Sequence, residues 1–448
     1  MPISVKGQSI WPTRVAWPRR ATGSQVVPAL VGAVPARPYV GRSRFVLAPL
    51  SLSLDQLLFL IAAALLCFGL VMVQSADARV RGAQETWLMQ AFNNKNAIHA
   101  MIAMAVLTAL WRMDYRILLG RSILGSPSVW LLALTICMLV AVLVTPFGKE
   151  INGARRWLSV GPIGFQPSEL AKLSLVLFVS AYAFHRQNLI HTFTKGFLPL
   201  VLVFGMAAVL VVKEDFGTTV LIAAVVIVMF LMAGCRWWQV SILVAGAAGA
   251  GYKLLMGSPF RRERLMAFLD PEKYASGAGY HPLQSLLTIM SGGFWGLGLG
   301  NGIQKMGYLP EDNTDFIFAV ICEELGFAGA LMVIALFLAF TLIGWRIASR
   351  CNNLFGKMAA FGITAVIGLQ AAMNVAVVTV SMPTKGIALP LISSGGTGWI
   401  MNAAAIGVLM SIERINRKEV EAEARASRGA EPALGFPVQL HETQKATV

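Results

Sequence analysis

The sequence has few charged residues. Asp, Glu, Lys and Arg make up 13% of its 448 residues, whereas hydrophobic residues make up 56%. A soluble globular protein of this length needs far more polar surface, so that class is excluded. Cysteine is scarce as well. Of the five cysteines, Cys67, Cys137 and Cys322 lie inside apolar segments, so neither a disulfide framework nor a cysteine metal cluster is expected.

Acidic residues are fewer than basic ones, with 22 Asp and Glu against 37 Lys and Arg, and the formal net charge is +15. Such an excess occurs in proteins that bind nucleic acid. In a membrane protein, however, a basic excess on one face follows from membrane topology and from attraction to anionic lipid. We therefore expect membrane lipid as a partner and no nucleic acid.

Long apolar runs account for most of the chain. A helix of about 20 apolar residues spans a bilayer because it satisfies its own backbone hydrogen bonds there. The sequence predicts an all-α integral membrane protein, a bundle of about ten transmembrane helices with a long extracytoplasmic loop between helices 7 and 8. The run around 197–234 divides at Lys213, Glu214 and Asp215, and without that division nine spans would remain. The predicted spans are 56–74, 97–112, 128–146, 170–184, 197–212, 217–234, 238–256, 316–345, 358–381 and 391–411.

Lys and Arg in short loops alternate along the chain, which predicts that both termini are cytoplasmic. Three regions follow: a basic, proline-rich cytoplasmic arm at 1–52, a membrane domain at 53–412 with a long periplasmic loop at 257–315, and a polar cytoplasmic tail at 413–448. The first 50 residues contain seven Lys or Arg, seven Pro and no acid, so we expect them not to pack. A similar composition occurs in organelle transit peptides, which is the alternative. The first apolar span is interpreted as a retained anchor.

Ionisable residues beside or within a span are costly, so each is a functional candidate. Glu169 and Lys172 are three residues apart and are predicted to pair on one helix face. The pair either is structural or orients the substrate. Asp215 lies in the charged turn between two spans. It either caps the next helix or belongs to the site.

The long loop supplies further candidates. Long loops are usually functional, and the basic residues of this one suit a pyrophosphate at the membrane surface. Gln284 and Lys305 are selected as candidate substrate-binding residues. Asp315, at the end of the loop, either caps the next helix or acts as a general base whose pKa the adjacent apolar run raises. We favour the base. Glu324, nine residues further along, is expected to pair inside the bundle.

The segment 381–396 holds two prolines and three glycines, which break a helix. Irregular backbone near a membrane is tolerated only where it lines a cavity or is buried in protein. Lys385 is therefore predicted to point into a cavity, and Ser393 is a further candidate for substrate binding.

Four groups of motifs resemble those of the SEDS family, and specifically its FtsW-type cell-division branch rather than its RodA elongation branch. The resemblance covers about 55–412, the whole membrane domain. The motifs that carry it are NGA at 152–154 with RW at 156–157, QPSE at 166–169 with Lys172, LPE at 309–311 with TDF at 314–316 and EELG at 323–326, and PTKG at 383–386 with PLIS at 390–393 and GG at 395–396.

This resemblance implies a peptidoglycan glycosyltransferase that polymerises lipid II during septal wall synthesis and releases undecaprenyl pyrophosphate. Asp315 falls on the family's catalytic aspartate, and Glu169 and Lys172 fall on its charged pair. We expect Asp315 to act as general base for the acceptor 4-hydroxyl, and Arg156 and Lys385 to stabilise charge on the pyrophosphate. The resemblance also implies a class B penicillin-binding protein transpeptidase and other divisome proteins as partners, in the bacterial cytoplasmic membrane at the division septum.

Two rival functions stay open. A lipid II flippase would suit the broken helix near 382–397, but it needs charged groups that both leaflets can reach, and the candidates lie in the outer half of the predicted topology. A non-enzymatic divisome scaffold that recruits a transpeptidase would leave Asp315 as a helix cap. No organic cofactor is expected. A divalent cation, Mg²⁺ or Mn²⁺, is an open expectation, although no group of ligands has convincing spacing.

Overall fold

The computed structural model describes residues 45–47, 50–77, 95–151, 154–160, 163–303, 311 and 313–429. Within them, ten long helices each coincide with one predicted span, and eight are long and apolar enough to cross a membrane by length and composition alone. The division at 213–215 is present, so the run around 197–234 forms two helices, as the prediction of about ten spans requires and the alternative of nine does not. The ten are α1 (Leu54–Asp77), α2 (Lys95–Arg112), α3 (Pro127–Val144), α4 (Pro167–His185), α5 (Leu198–Val212), α6 (Phe216–Ala233), α7 (Trp237–Met256), α10 (Ile317–Arg350), α11 (Leu354–Val378) and α12 (Thr397–Gly429).

Local sequence explains where several helices begin and end. Pro127 and Pro167 each stand in the first turn of a helix, where the missing N–H costs nothing. The Asp215 carboxylate accepts a hydrogen bond from the Thr218 N–H at 2.9 Å and so caps α6. Gly234 ends α6 with a φ of 99°, a conformation that favours glycine.

Helix α4 lies at the centre of the bundle, with 83% of its span buried inside the protein. It packs against α3, α11, α6, α12 and α5. By contrast, 11% of the span in α7 is buried. A helix that is apolar and little covered by protein faces lipid, so α7 lies at the edge of the bundle.

One end of the bundle carries residues 113–126, 186–197, 351–353 and 413–429, and we call it the basic end. The Arg417 guanidinium pairs with the Asp55 carboxylate at 2.8 Å, which joins α12 to the start of α1. Arg116 pairs with Glu419, which joins α12 to the turn after α2. The segments with most of the loop Lys and Arg therefore share one end, and which side of the membrane it faces stays a prediction.

The opposite end, which we call the site end, holds regular structure that the spans did not predict. A three-stranded antiparallel sheet is formed by β3 (Gly148–Ile151), β4 (Ala154–Val160) and β5 (Ile163–Phe165). The long loop contains α8 (Pro259–Leu269) and α9 (Tyr280–Gly292). These elements are too short for a search for spans to detect. A separate two-stranded pair, β1 (Phe45–Leu47) and β2 (Leu50–Leu52), precedes α1.

Helix α10 is broken near the site end. Gly326 has a φ of 67°, which interrupts the helical hydrogen bonds. The freed carbonyls of Glu323 and Glu324 accept hydrogen bonds from the backbone N–H groups of Leu297 and Gly298, both at 2.9 Å. The glycine-rich loop after α9 thus satisfies the backbone at the break, as the low-dielectric membrane requires.

Candidate active site

Five segments meet in a cleft of about 380 Å³ at the site end of the bundle. They are β4, the turn before α6, the end of α7, α8, and the irregular segment between α11 and α12. The cleft is lined by five basic residues that those segments supply, together with two acids, Glu214 and Asp215, and the aromatic rings of Phe216 and Phe260. The basic lining residues are Arg156, Lys213, Arg261, Arg264 and Lys385.

Asp315 lies beside this cleft, and a hydrogen bond to its backbone carbonyl holds it there. The Asn374 side-chain amide in α11 donates to the Asp315 carbonyl at 2.8 Å and to the Ile387 carbonyl at 2.7 Å. Asn374 therefore ties Asp315 to the irregular segment. A Cβ placed on Gly386 would lie 2.9 Å from Asp315 Oδ2 and 3.8 Å from a guanidinium nitrogen of Arg156. The carboxylate and the guanidinium both lie against Gly386.

The capping alternative for Asp315 finds no support in the hydrogen bonds. Phe316 is the N-cap residue of α10, and its N–H donates to the Glu311 carbonyl at 3.1 Å. Across the described ranges, the Asp315 side chain accepts no hydrogen bond. An acid that is not used as a cap has its oxygens available for a ligand.

The surroundings of Asp315 change its acidity. Burial raises the pKa of Asp315 to about 7, with help from the like charges of Glu311 and Asp215. Arg156 and Arg264 oppose this rise because a nearby cation favours the carboxylate. A carboxyl with a pKa near neutrality can accept a proton and then release it.

The cations are held in place by neighbouring groups. Arg156 Nε donates to the Glu214 carbonyl at 2.7 Å. Lys385 Nζ and the Arg261 guanidinium each lie 5.4 Å from the ring centroid of Phe216, within the range of a cation–π contact. Burial lowers the pKa of Lys385, and the nearby Asp215 carboxylate acts in the opposite direction.

Glu169 and Lys172 form an ion pair of 2.8 Å in α4, as their spacing predicts. Lys172 Nζ also donates to Gln370 Oε1 at 2.6 Å, and Gln370 Nε2 donates to the Ala388 carbonyl at 2.8 Å. The pair thus supports the irregular segment through Gln370. The pair therefore affects the site indirectly, through Gln370 and the irregular segment.

The structure brings some predicted residues to the cleft and leaves others away from it. Ser393 is buried, and its hydroxyl accepts the Leu389 N–H at 2.7 Å, so it stabilises the irregular segment. Gln284 lies half-buried on α9. Glu324 is buried near the break in α10 and accepts a hydrogen bond from the Ser75 hydroxyl. Lys305 lies outside the described residues.

Two amides that hold the irregular segment, Gln370 and Asn374, escaped the sequence analysis, and Arg264 was counted among the basic residues of the long loop without being selected by itself. Arg264 lines the cleft on the same face of α8 as Arg261, three residues earlier, whereas Arg262 between them is exposed. Gln370 and Asn374 are two amides four residues apart in an apolar helix, which is a signal of one polar face. Predicting α8 as a helix would have singled out Arg264.

Fold and site together define a multi-pass α-helical membrane protein with a near-neutral acid among cations at one end of its bundle. Residues 55–418 match the family model FTSW_RODA_SPOVE, described as a cell cycle protein. The chain belongs to this family.

Its relatives agree with that assignment. A probable peptidoglycan glycosyltransferase FtsW from Idiomarina loihiensis is 41% identical over 81% of this chain and 88% of its own length. One of the same name from Nitrosococcus halophilus is 39% identical over 79% of this chain and 90% of its own.

Solved structures with the same fold also match. One belongs to a study of how a peptidoglycan synthase complex coordinates polymerization and crosslinking. It has a TM-score of 0.66 and 25% identity, and it covers 81% of this chain and 98% of its own. The rod shape determining protein RodA of Thermus thermophilus has a TM-score of 0.57 and 24% identity over 80% of this chain and 96% of its own, a likeness of fold alone.

We expect Lys172→Met to destabilise the protein by about 3–5 kcal/mol, because it leaves the Glu169 carboxylate, whose side chain is 11% exposed, without its cation. Chemical unfolding in detergent micelles measures the change. The double variant Glu169→Gln, Lys172→Met should recover most of the loss, since neither charge then stays buried alone. A single variant as stable as the wild type would contradict the structural role of the pair.

Proposed function

We propose that this chain is a peptidoglycan glycosyltransferase that polymerises lipid II, with Asp315 as the general base. The observation that carries the proposal is a carboxyl of near-neutral pKa beside a cleft lined by cations. The names of the relatives support the same activity. Glycosyl transfer from a pyrophosphate donor needs both parts: a base for the acceptor and positive charge for the leaving group.

In the proposed step, Asp315 takes the proton from the N-acetylglucosamine 4-hydroxyl of the acceptor lipid II. The oxygen forms a bond to the anomeric carbon of the lipid-linked end of the growing strand. The bond between that carbon and the pyrophosphate oxygen breaks, and undecaprenyl pyrophosphate leaves with the electron pair. At neutral pH a substantial fraction of Asp315 is deprotonated and ready to accept the proton.

Arg156, Arg264 and Lys385 are proposed to bind the pyrophosphate. Guanidinium groups suit phosphate oxygens because they donate two parallel hydrogen bonds. Lys385 stands on the segment that also contacts Asp315 through Gly386. The base for the acceptor and one cation for the leaving group thus meet at one short stretch of backbone. This arrangement would orient the acceptor hydroxyl and the pyrophosphate relative to each other.

A divalent cation is a separate proposal. Among the residues that the structure describes, no three His, Cys, Asp or Glu side chains are grouped to hold a metal ion. Both Asp215 side-chain oxygens accept hydrogen bonds from Thr218. The donors present therefore do not fit a metal held by protein ligands alone. An Mg²⁺ or Mn²⁺ ion would take its ligands largely from the pyrophosphate, and no step above is routed through it.

The rival functions make different demands on the bundle. A flippase needs charged groups that can meet the headgroup from both leaflets. The cations around Asp315 all lie at the site end. A scaffold needs no near-neutral acid beside a cleft. The flippase and the scaffold therefore explain fewer features of the site than lipid II polymerisation does.

The orientation in the membrane, the protein partners and the location in the cell are also proposals. The basic end would face the cytoplasm with both tails, and the cleft would face the periplasm, where lipid II presents its sugars. A class B penicillin-binding protein would crosslink the strands made here, in keeping with the synthase complex whose fold this chain shares. Enrichment at the division septum, with other divisome proteins, belongs to the same proposal, and the description of the matching family as a cell cycle protein supports it.

Replacing Asp315 with Asn should lower the rate of lipid II polymerisation by at least about 100-fold, because the amide cannot accept the proton. The assay is gel analysis of labelled glycan chains made by the purified protein with its penicillin-binding partner. Asp270→Asn is the matched control, since Asp270 is exposed in the same long loop. It should retain wild-type activity.

Three other results of this assay would count against the proposal. Chains made equally well by Asp315→Asn would remove Asp315 from the reaction. If the wild type makes no chains but moves lipid II across vesicle membranes, the flippase is correct. If the wild type does neither but still binds the transpeptidase, the scaffold is correct.

The acidic limb of the pH profile should follow the pKa of Asp315. We expect kcat/KM to rise with pH through about 7, because the base must be deprotonated. Arg264→Gln removes a cation that lowers this pKa and should move the limb to higher pH. Glu311→Gln removes an anion that raises it and should move the limb to lower pH. Shifts of equal sign would contradict this electrostatic account.

A methyl group on Gly386 should displace the Asp315 carboxylate, which lies 2.9 Å from the position the Cβ would take. The neighbour is the end of a side chain rather than backbone, so Gly386→Ala should fold with a melting temperature close to that of the wild type. Polymerisation should fall by about 10-fold or more, since misplacing a catalytic group by about 1 Å costs up to 100-fold.

Gly395→Ala is the control for Gly386→Ala because it lies in the same irregular segment. A Cβ there would meet the Ser393 carbonyl oxygen at 3.6 Å, an ordinary contact. It should change neither stability nor activity by more than about twofold. Equal losses in both variants would mean that the segment tolerates no side chain, whatever the place of Asp315.

A further inference from the structure

A groove of about 580 Å³ lies at the basic end, far along the bundle from the cleft. It is formed by the end of α4 and the turn that follows, from Phe184 to Leu189. His185 Nε2 contacts the Leu119 carbonyl at 3.2 Å, which fixes one side of the groove. The next side chain, Arg186, is exposed. The mechanism proposed above does not use this groove.

The start of α7 is fastened to the same turn. Gln239 Nε2 donates to the His191 carbonyl at 3.2 Å, and Gln239 Oε1 accepts the Arg236 N–H at 3.1 Å. The rings of Phe193 and Trp238 stack with centroids 5.8 Å apart. Arg186 and Cys235 both lie close to Tyr182, so Arg236, which follows Cys235, lies on the surface beside the groove. Lys195, in the turn after α4, is also exposed.

This surface has cations without nearby acids in the segments that build it. The chain contains no Asp or Glu from 170 to 213 or from 216 to 262. The loop that packs against it through Leu119 has none from 115 to 149. Arg186, Lys195 and Arg236 thus create a local positive field, and the segments that build this surface contain no acid to neutralise it. A field of this kind attracts an anion.

The aromatic residues place the surface at the membrane interface. Trp237 is 77% exposed and Trp238 38%, directly after Arg236. Exposed tryptophan beside arginine at the end of a span is typical of the headgroup region. Below it, Leu202 on α5 and Ile242 on α7 are exposed, so apolar chains have a surface to lie against. A ligand that fits is anionic at one end and apolar along the rest.

We propose that this groove binds the phosphate headgroup of an anionic phospholipid from the leaflet at the basic end. Arg186 and Arg236 would contact the phosphate from the two elements they stand on, and the acyl chains would lie along α5 and α7. Of the residues of α7, Gln239 and Val240 are buried. A lipid bridging Arg186 and Arg236 would therefore help to hold the start of this little-covered helix against the bundle.

Native mass spectrometry and thermal unfolding of the full-length protein test the proposal. Phosphatidylglycerol should bind and raise the melting temperature, whereas phosphatidylcholine should not. The variant Arg186→Gln, Arg236→Gln should bind phosphatidylglycerol about 30-fold more weakly, given the attraction of two cations for an anionic headgroup. The matched control is Lys357→Gln, Lys418→Gln, two exposed cations at the basic end that lie on α11 and α12. It should bind like the wild type.

A charge-preserving variant and a soluble phosphate ligand complete the test. Arg186→Lys, Arg236→Lys preserves the charge and should keep most of the binding, so a folding defect of the Gln variant does not decide the question. Glycerol 3-phosphate at equal concentration distinguishes a lipid headgroup from a free phosphate. Stabilisation by glycerol 3-phosphate equal to that by the lipid would overturn the proposal. So would equal weakening by the control pair, which would show attraction to the whole basic end.

Discussion

The site depends on one constraint, which is that irregular backbone within a membrane bundle must have its polar groups satisfied by protein. Between α11 and α12 the chain does not form a helix, and its carbonyl groups have to find donors. Gln370 and Asn374 supply them, through bonds to the Ala388 and Ile387 carbonyls. Because Asn374 also holds the Asp315 carbonyl, the same side chain that makes the break tolerable places the acid.

Several acidic side chains stabilise the bundle as ion pairs or helix caps, and Asp315 is available for a chemical role. Glu169 is neutralised by Lys172, and Asp55 by Arg417. Asp215 is engaged as the cap of α6. Asp315 differs, because its neighbours include both acids and cations and its oxygens accept no hydrogen bond in the described part of the chain. Its pKa is therefore raised mainly by burial, to about 7.

Interruptions of helical structure occur where the bundle forms the candidate active site. Gly326 interrupts α10 next to the loop after α9, and the segment at 381–396 interrupts the path from α11 to α12. Both breaks are at the site end. At the basic end, the helices are instead joined by side chains of α12, which continues unbroken to Gly429. One end is thus built from loops that can present groups to a substrate, and the other from helix contacts that hold the bundle together.

The sequence by itself determined the spans, because a run of apolar residues long enough to cross a bilayer has one stable outcome. It also determined the pairing of Glu169 with Lys172, since a spacing of three residues on a helix leaves little choice. Asp315 was selected from its motif and from the apolar run beside it. Three charged groups that act on its pKa, however, are distant in sequence: Asp215 before α6 raises it, and Arg156 on β4 and Arg264 on α8 lower it. Which cations reach it, and that Ser393 serves the segment rather than the cleft, depend on how those elements pack. Packing against distant elements is not encoded in local periodicity, so only the tertiary structure decided it.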